Sequence, residues 1–556
     1  MFKKNLVITL SALLIAVVSG CKNKTETTNN KNTSSNSNSE NTATEVNNRP
    51  AGDYGDALST GEIAEPINLI PAMATDSASH NITSYIYNGL VKFDKDLNIV
   101  GDLAEKWEIS EDKKEITFYL RKGVKWHDGV EFTAEDVKFT YEFMISDDTP
   151  TAYDSNYRLI DTVEIIDPHT IKVTYKNPIV TALTSWAWIM PKHALTGKPS
   201  QSTLQRKPIG TGPYKLESWT SGQSLVLTSF HDYFEGRPKI EKVFVKVIPN
   251  QTTQYLELLN GSIDTMTLTS KQANLDSKTP KYEDKYNTYS YLDFAYTYIG
   301  YNLNKAPFNI KEFRQALSYA VPKQEIIDGI LFGKGVIATG PYKPDTFWYN
   351  KNVKEYPFDP AKAKELLKQA GFEDINNDGF LEYRGKPFQV ELMTNQGADI
   401  RGKIVEIVQH NWNNIGIKTQ IKQLEWASML TEKRKGNFDA ILLGWSITQD
   451  PDLYDIWSSE RIEKGYNFIG YKNARVDEIL KEGQHEFDKD RRKKLYDELQ
   501  VILAEEQPYT FLYVPYTHIA LNKRFHNVKP EKAGISYNFI DWYVPKNEQK
   551  YHVLDR

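Results

Sequence analysis

Between residues 387 and 445, strand-like and helix-like patterns alternate, and this stretch limits the fold more than any other. Residues 388–392 have the composition of a strand. A helical stripe follows, formed by Ile404, Val405, Val408 and Trp412. Residues 417–421 alternate again, and residues 438–445 form a short apolar run. Strand, helix and strand with short connections predict a parallel β-α-β unit, and therefore an α/β fold.

Three further helices carry recognisable start signals. Thr133 is followed by acidic residues in a first turn, and Asp359 precedes Pro360 in the pattern of an N-cap and first helical residue. Gly371 ends the second of these helices. Residues 488–507 predict a charged amphipathic helix that stops before a proline.

The first twenty residues have the layout of a secretory signal. Lys3 and Lys4 precede an apolar run over residues 6–18, which is too short for a comfortable membrane span. Residues 18–21 are Val-Ser-Gly-Cys, which resembles the lipobox of bacterial lipoproteins, in which the cysteine is acylated. The alternative is an ordinary secretory signal with a chance cysteine.

Cys21 is the only cysteine of the chain. Disulfides, thiolate metal sites and a cysteine nucleophile are therefore excluded from the mature fold. Residues 21–54 are rich in Asn, Thr, Ser and Lys, and such a stretch predicts a disordered tether. A lipid on Cys21 would anchor the exported body to the outer face of the bacterial cell membrane.

The length of 556 residues exceeds one hydrophobic core, so at least two domains are expected. A net charge of −5 disfavours nucleic acid or an anionic membrane surface as a partner. The 33 Tyr and 11 Trp residues are explained either by core packing or by a recognition cleft.

Four segments carry a resemblance to a known family. They are residues 117–129 (TFYLRKGVKWHDG), 210–214 (GTGPY), 313–320 (FRQALSYA), and 444–445 (GW) ahead of 450–452 (DPD). In this order they resemble the family 5 extracellular solute-binding proteins, which comprise the dipeptide- and oligopeptide-binding lipoproteins of ABC importers. The resemblance spans residues 58–530.

The resemblance implies a bilobal periplasmic-binding-protein fold of the large type II (cluster C) kind, with two hinge-crossing strands. Lobe I would take residues 55–302 and 520–556, including an extra subdomain at about 76–210, and lobe II residues 303–519. The hinge crossings would lie at residues 298–303 and 511–519, and both segments have strand-like patterns of their own.

The implied function is the capture of extracellular oligopeptides by closure of two lobes, for delivery to ABC transporter permease subunits. A monomer without catalytic residues and without a required cofactor suffices for this task. The same fold could instead bind an oligosaccharide, a metal chelate or another small solute. A surface-anchored hydrolase is the remote alternative, but no Gly-x-Ser-x-Gly or His-Glu-x-x-His motif is present.

Trp445 lies at the end of a predicted parallel strand, where ligands gather in open α/β sheets. Many peptide-binding relatives carry an aspartate three residues later for the peptide's α-ammonium, but this chain has Thr448. Asp450 either takes over that role or merely starts the next helix. Loss of an end-anchoring aspartate suits longer peptides that are gripped through their backbone. The aromatic candidates for the cleft, each with core packing as its alternative, are Trp426, Trp445, Trp457, Tyr153 and Tyr157.

Residues 374–379 match the first half of a calcium loop, with Asp374, Asn376 and Asp378 at alternate positions before a glycine. The twelfth position, where a bidentate glutamate is expected, is Gly385. The pattern therefore predicts either a structural calcium ion or a plain turn.

Overall fold

The computed structural model describes residues 52–553. The predicted signal peptide, Cys21 and all of the predicted tether except residues 52–54 lie outside these described residues. None of the helices within residues 52–553 has the length and apolar character that a membrane crossing requires.

Helices and strands alternate along most of the described chain. The helices of residues 52–553 are α1 (Ser77–Ile86), α2 (Ala134–Ile145), α3 (Gln251–Asn260), α4 (Pro280–Glu283), α5 (Lys311–Tyr319), α6 (Lys323–Gly329), α7 (Pro360–Gln369), α8 (Asp399–Asn414), α9 (Trp426–Arg434), α10 (Tyr454–Trp457), α11 (Ala474–His485) and α12 (Lys489–Glu506). The strands of the first half are β1 (Ala57–Glu62), β2 (Val91–Phe93), β3 (Ile99–Gly101), β4 (Ala104–Ile109), β5 (Glu115–Leu120), β6 (Ile160–Asp167), β7 (Thr170–Tyr175), β8 (Tyr214–Thr220), β9 (Ser224–Ser229), β10 (Lys242–Val247), β11 (Thr265–Thr267) and β12 (Tyr286–Leu292). The later strands are β13 (Ala295–Tyr301), β14 (Gly335–Ile337), β15 (Phe372–Glu373), β16 (Glu382–Tyr383), β17 (Lys386–Pro387), β18 (Val390–Asn395), β19 (Thr419–Leu424), β20 (Ala440–Ser446) and β21 (Tyr509–Asn522).

Side-chain caps begin the three helices whose starts were predicted from the sequence. At α2, the Thr133 amide donates to Asp136 Oδ2 at 3.0 Å, which completes a capping box. Asp359 Oδ1 accepts from the amide of Lys362 at 2.9 Å at the start of α7, and Asp488 caps α12. All three predicted helices are confirmed, and each cap contributes on the order of 1 kcal/mol.

The main sheet is mixed, with the order β19-β18-β20-β13-β21-β11-β1-β10-β9-β8. Strand β18 pairs in parallel with β19 and with β20, and α8 connects β18 to β19. The predicted β-α-β unit is therefore confirmed. Its geometry brings the C-terminal ends of β18 and β20, at Asn395 and Ser446, to the same edge of the sheet.

Strand β21 runs between two parts of the main sheet. Its residues 509–513 pair with β13, whereas residues 516–522 pair with β12. Only Asp293 and Phe294 separate β12 from β13. The chain therefore passes from β12 to β13 at the same level of the sheet at which β21 changes its pairing partner. The predicted crossing at 511–519 includes this change, and the predicted crossing at 298–303 lies after it.

Buried apolar side chains follow the same division. The largest cluster takes residues from 58–245 and 521–544, whereas two others take residues from 296–514. We call residues 52–292 and 516–553 the first part and residues 295–514 the second part. Each part therefore has a core of its own, while the lobe limits deduced from the sequence stay predictions.

Candidate functional site

Trp445 lies at the C-terminal end of β20, at the sheet edge where ligands bind in open α/β folds. Its Nε1 donates to Tyr509 Oη at 3.3 Å, and its ring lies parallel to that of Tyr298, with centroids 6.2 Å apart. Tyr298 in turn stacks on Tyr509 at 4.0 Å. Two buried tyrosines thus fix the orientation of the half-buried indole.

Aromatic rings from both parts of the chain meet beyond Trp445. The ring of Tyr466, in the second part, contacts two other rings edge to face. Its centroid lies 5.2 Å from that of Trp445 and 5.5 Å from that of Tyr153 in the first part. Tyr153 contacts Trp188 at 5.1 Å, and His80 stacks on Trp188 at 5.5 Å. Phe468 contacts Trp445 from the second part. We define the aromatic cluster as His80, Tyr153, Trp188, Trp445, Tyr466 and Phe468.

Hydrogen bonds fix the first-part members of this cluster. Tyr153 Oη donates to the carbonyl oxygen of Ala74 at 2.9 Å, and His80 Nε2 lies 2.7 Å from Tyr153 Oη. Burial lowers the pKa of His80 and raises the pKa of Tyr153, so both side chains are uncharged at neutral pH. These residues therefore offer ring surface to a ligand, without charge.

A buried group of ion pairs links the two parts next to the aromatic cluster. Arg461 Nη2 lies 2.7 Å from Asp154 Oδ1, and Arg461 Nε lies 2.8 Å from Asp455 Oδ1. Ser155 Oγ donates to Asp455 Oδ2 at 3.0 Å. Burial raises the pKa of Asp455 to about 7, and Arg461 opposes this rise. Because Asp154 and Ser155 belong to the first part, these contacts require that the two parts lie together.

Lys433 is a cation at the edge of the aromatic cluster. It is 8% exposed, and its Nζ lies 4.8 Å from the ring centroid of Phe468 and 5.8 Å from that of Trp445. Within residues 52–553, no carboxylate lies within ion-pair distance of this ammonium. Burial lowers the pKa of Lys433 to about 8, with a smaller lowering by Arg434, whereas Asp76 raises it. The ammonium therefore stays protonated at neutral pH.

Arg401 is a second cation that has no carboxylate partner in the described chain. Its Nη1 donates to Asn395 Oδ1 at 2.8 Å, at the end of β18, and burial lowers its pKa. Its Nη2 lies 3.5 Å from the place that a β-carbon on Gly444 would take. The guanidinium therefore lies beside Gly444, at the edge of the sheet where β18 and β20 end.

The predicted amine anchor is already engaged inside the protein. Both carboxylate oxygens of Asp450 accept from Arg492 at 2.8 Å, in a bidentate pair. Thr448 is exposed, and its Oγ1 donates to the carbonyl oxygen of Asp450 at 3.0 Å. The charge of Asp450 is neutralised without a ligand, and ligand binding by Asp450 and Thr448 stays a prediction.

The other aromatic candidates are divided between core and surface. Trp457 is 0% exposed and Tyr157 is 3% exposed, so their rings offer almost no surface to a ligand. Trp426 is half-buried at the start of α9 and lies outside the aromatic cluster. The rings of Trp445 and Tyr153 both contact the ring of Tyr466, so these two candidates lie in the same cluster. Ligand contact stays a prediction for all five candidates.

The predicted calcium loop is closed by its own hydrogen bonds. Asp374 Oδ2 accepts from the amide of Gly379 at 3.1 Å. Asn376 Nδ2 donates to Glu382 Oε1 at 2.9 Å and to Asp378 Oδ2 at 3.2 Å. In the described part of the chain, no three His, Cys, Asp or Glu residues are grouped so that they could hold a metal ion. Calcium binding by Asp374, Asn376 and Asp378 stays a prediction.

Several residues of the site were not identified from the sequence, namely His80, Trp188, Arg401, Lys433, Arg461, Tyr466 and Phe468. Lys433 and Arg434 form the basic last turn of a helix, a pattern typical of solvated cations at a helix C-terminus. Arg461 and Tyr466 lie in a segment without periodicity. The usable signal was Gly444, because a glycine near a strand end often marks a close approach by another group.

Curated relatives cover most of this chain. The oligopeptide-binding protein AppA of Bacillus subtilis is 35% identical over 505 residues, which cover 88% of this chain and 92% of AppA. The heme-binding protein A of Haemophilus influenzae is 31% identical over 484 residues, which cover 82% of this chain and 85% of that protein.

Solved structures agree with the fold. AppA from Bacillus subtilis in complex with a nonapeptide matches with a TM-score of 0.85 and 34% identity, covering 89% of this chain and 100% of AppA. The periplasmic binding protein DppA from Helicobacter pylori, in complex with the peptide STSA, matches with a TM-score of 0.80 and 28% identity, covering 89% and 99%. The predicted α/β periplasmic-binding-protein fold is confirmed.

The family resemblance deduced from the sequence is confirmed as well. The family model described as "Bacterial extracellular solute-binding proteins, family 5 Middle" matches residues 98–465, more than half of the chain. The chain is therefore a member of family 5 of the bacterial extracellular solute-binding proteins.

Proposed function

We propose that this protein is the binding component of an ABC importer and that its ligands are extracellular oligopeptides. The observation that carries the proposal is an aromatic cluster to which both parts of the chain contribute, with Lys433 facing Trp445 and Arg401 beside Gly444. The similarity to AppA and DppA, which hold peptides in their structures, supports peptides as the ligand class.

The cluster and the ion pairs beside it provide a closing mechanism. A ligand that touches both Trp445 and Tyr153 favours the form in which these side chains lie together. The pair of Arg461 and Asp154 then adds to the stability of that form. Closure needs a ligand that binds the closed form more tightly than the open one, and a transmembrane partner can then recognise the closed shape.

Peptide recognition would combine hydrogen bonds to the peptide backbone, contacts with aromatic rings and a charge on the protein. An extended peptide can hydrogen-bond through its main chain, which lets different side chains be accepted. The rings of the aromatic cluster supply apolar surface for those side chains. Arg401 is available to a peptide carboxylate, because its guanidinium is partly buried and has no acidic partner within residues 52–553.

Export and anchoring complete the proposal. Cys21 carries the lipid, residues 21–54 form the tether, and the monomeric body works at the outer face of the cell membrane next to its permease subunits. The resemblance of residues 18–21 to a lipobox supports this arrangement. Binding is then the whole activity, and the protein needs neither a cofactor nor a catalytic residue.

Native mass spectrometry of the purified protein tests the ligand class. A series of co-purifying peptide masses supports the proposal. Masses spaced by sugar units, or the mass of a metal chelate or heme, would instead support another solute, and such a solute is named for the Haemophilus influenzae relative. Turnover of casein or peptidoglycan that one substitution abolishes would support the remote hydrolase alternative.

A further inference from the structure

We propose that Lys433 binds a carboxylate of the ligand and makes this protein selective for ligands that carry an acidic group next to Trp445. The proposal rests on the peptide-binding function above and names the charge class of its ligands. Two carboxylates on a peptide could satisfy Lys433, namely the C-terminal carboxylate and an acidic side chain.

The position of Lys433 is unusual for a lysine in the last turn of a helix. Such lysines ordinarily extend their ammonium group into water. Lys433 instead turns inward from α9 and is 8% exposed, with its Nζ facing the rings of Phe468 and Trp445. Its neighbour Lys435 is exposed, and its Nζ lies 3.6 Å from Glu432 Oε1, as expected for a surface cation.

Three buried arginines pair with carboxylates, whereas the buried Arg314 donates to backbone carbonyl oxygens and the buried Lys323, like Lys433, has no ion pair within residues 52–553. Arg461 pairs with Asp154 and Asp455, Arg492 pairs with Asp450, and Arg524 pairs with Asp56 and Asp264. Lys433 has no such partner in the described chain. Cation–π contacts alone are weaker than the cost of removing an ammonium from water, so a carboxylate of the ligand would stabilise the charged Lys433.

Asp76 does not supply that counter-charge directly. It caps α1, where Oδ1 accepts from the Ser79 amide at 3.0 Å and Oδ2 accepts from Ser79 Oγ at 2.7 Å. Its carboxylate is near enough to raise the pKa of Lys433 but lies beyond ion-pair distance. The ammonium therefore has no direct counter-charge from residues 52–553, and a carboxylate of the ligand would supply one.

Fixed charges near Trp445 point in the same direction. Thr448 is neutral, and Asp450 is neutralised by Arg492. Lys433 and Arg401 are cations without an ion pair within residues 52–553, whereas the carboxylates of Asp293, Asp399 and Glu425 at this end of the sheet accept hydrogen bonds from the protein itself. A ligand with an acidic group complements these two cations better than a ligand that presents only an amine.

A pentapeptide library tests the proposal. Each of the five positions is randomised in an alanine background, once with a free C-terminus and once with an amide, and bound peptides are identified by mass spectrometry. The wild type should enrich Asp and Glu at one position, or free acids over amides, by at least tenfold. Lys433→Met should abolish that preference, Lys433→Arg should keep part of it, and Lys435→Met should keep all of it.

Each result has a distinct meaning. Loss of the Asp and Glu preference assigns Lys433 to a side chain, and loss of the acid-over-amide preference assigns it to the C-terminus. A Lys433→Met protein that binds peptides with the wild-type preference overturns this inference alone. A wild type that binds no peptide overturns the peptide proposal together with the inference. A melting temperature of Lys433→Met at or above that of the wild type shows that the variant is folded.

Discussion

Asp154 and Arg461 are 307 residues apart in the sequence, yet Asp154 Oδ1 lies 2.7 Å from Arg461 Nη2 in a buried ion pair. Their side chains are 2% and 6% exposed. Separating the two parts of the chain returns both groups to water, and bringing the parts together buries them again. The electrostatic energy of this ion pair therefore depends on the distance between the two parts.

Arg461→Met should weaken peptide binding about 10- to 100-fold, which corresponds to about 1.4–2.8 kcal/mol. The variant removes a contact that stabilises the closed form, and it leaves the cores of both parts intact. Isothermal titration measures the affinity, and calorimetry of the ligand-free protein should show a nearly unchanged melting temperature. Lys464→Met is the matched control, because Lys464 forms an exposed pair with Asp147 at 3.3 Å. An equal loss of affinity in both variants would contradict this role for Arg461.

Substitution of two tryptophans should separate the binding site from the core. Trp445→Ala should reduce peptide affinity at least tenfold, because it removes ring surface from the aromatic cluster. Trp457→Ala should instead lower the free energy of unfolding by about 3–5 kcal/mol, because Trp457 is fully buried. Urea unfolding and titration calorimetry on both variants distinguish the two effects. The reverse assignment would place the binding site elsewhere.

The affinity for carboxylate-bearing peptides should fall above pH 8. Burial lowers the pKa of Lys433 to about 8, and the charged neighbours that act on it are Arg434 on α9 and Asp76 on α1. A carboxylate binds the protonated lysine, so affinity should be constant below this pKa and fall about tenfold per pH unit above it. The free energy of unfolding of the ligand-free protein should change with pH in the opposite direction. It should rise through this pH range, because the unfolded state retains the lysine proton longer.

Titration calorimetry from pH 6 to pH 9.5 checks this dependence. The Lys433→Met variant is the control and should show no change of affinity across the range. A wild-type affinity that stays flat to pH 9.5 would show that a charged Lys433 does not take part in binding.

Cys21→Ala should release the protein from the membrane fraction. Acyl chains on this cysteine would supply the anchor, since each buried methylene contributes about 0.8 kcal/mol. Fractionation of cells grown with labelled palmitate measures both the location and the label. Retention of the unlabelled variant at the membrane would contradict anchoring through Cys21.

Local sequence patterns were sufficient to predict much of the second part. The β-α-β unit and the cap at Asp359 depend on neighbouring residues, so their patterns are visible in the sequence. The site depends instead on pairs that are far apart in the chain, such as Asp450 with Arg492. Lys433 has the sequence context of a solvated lysine, and only the packing of Phe468 and Trp445 around it reveals its burial.

A ligand is expected to bring the two parts of the chain together. Asp147 of the first part and Lys464 of the second part form an exposed ion pair between the two parts, and Cys21 is the only native cysteine. Spin labels on Asp147→Cys and Lys464→Cys, in a Cys21→Ala background, therefore report the distance between the parts by pulsed electron resonance. We expect a long, broad distance distribution without peptide and a short, narrow one when a peptide identified by native mass spectrometry is added. One unchanged distribution in both samples would contradict this expectation.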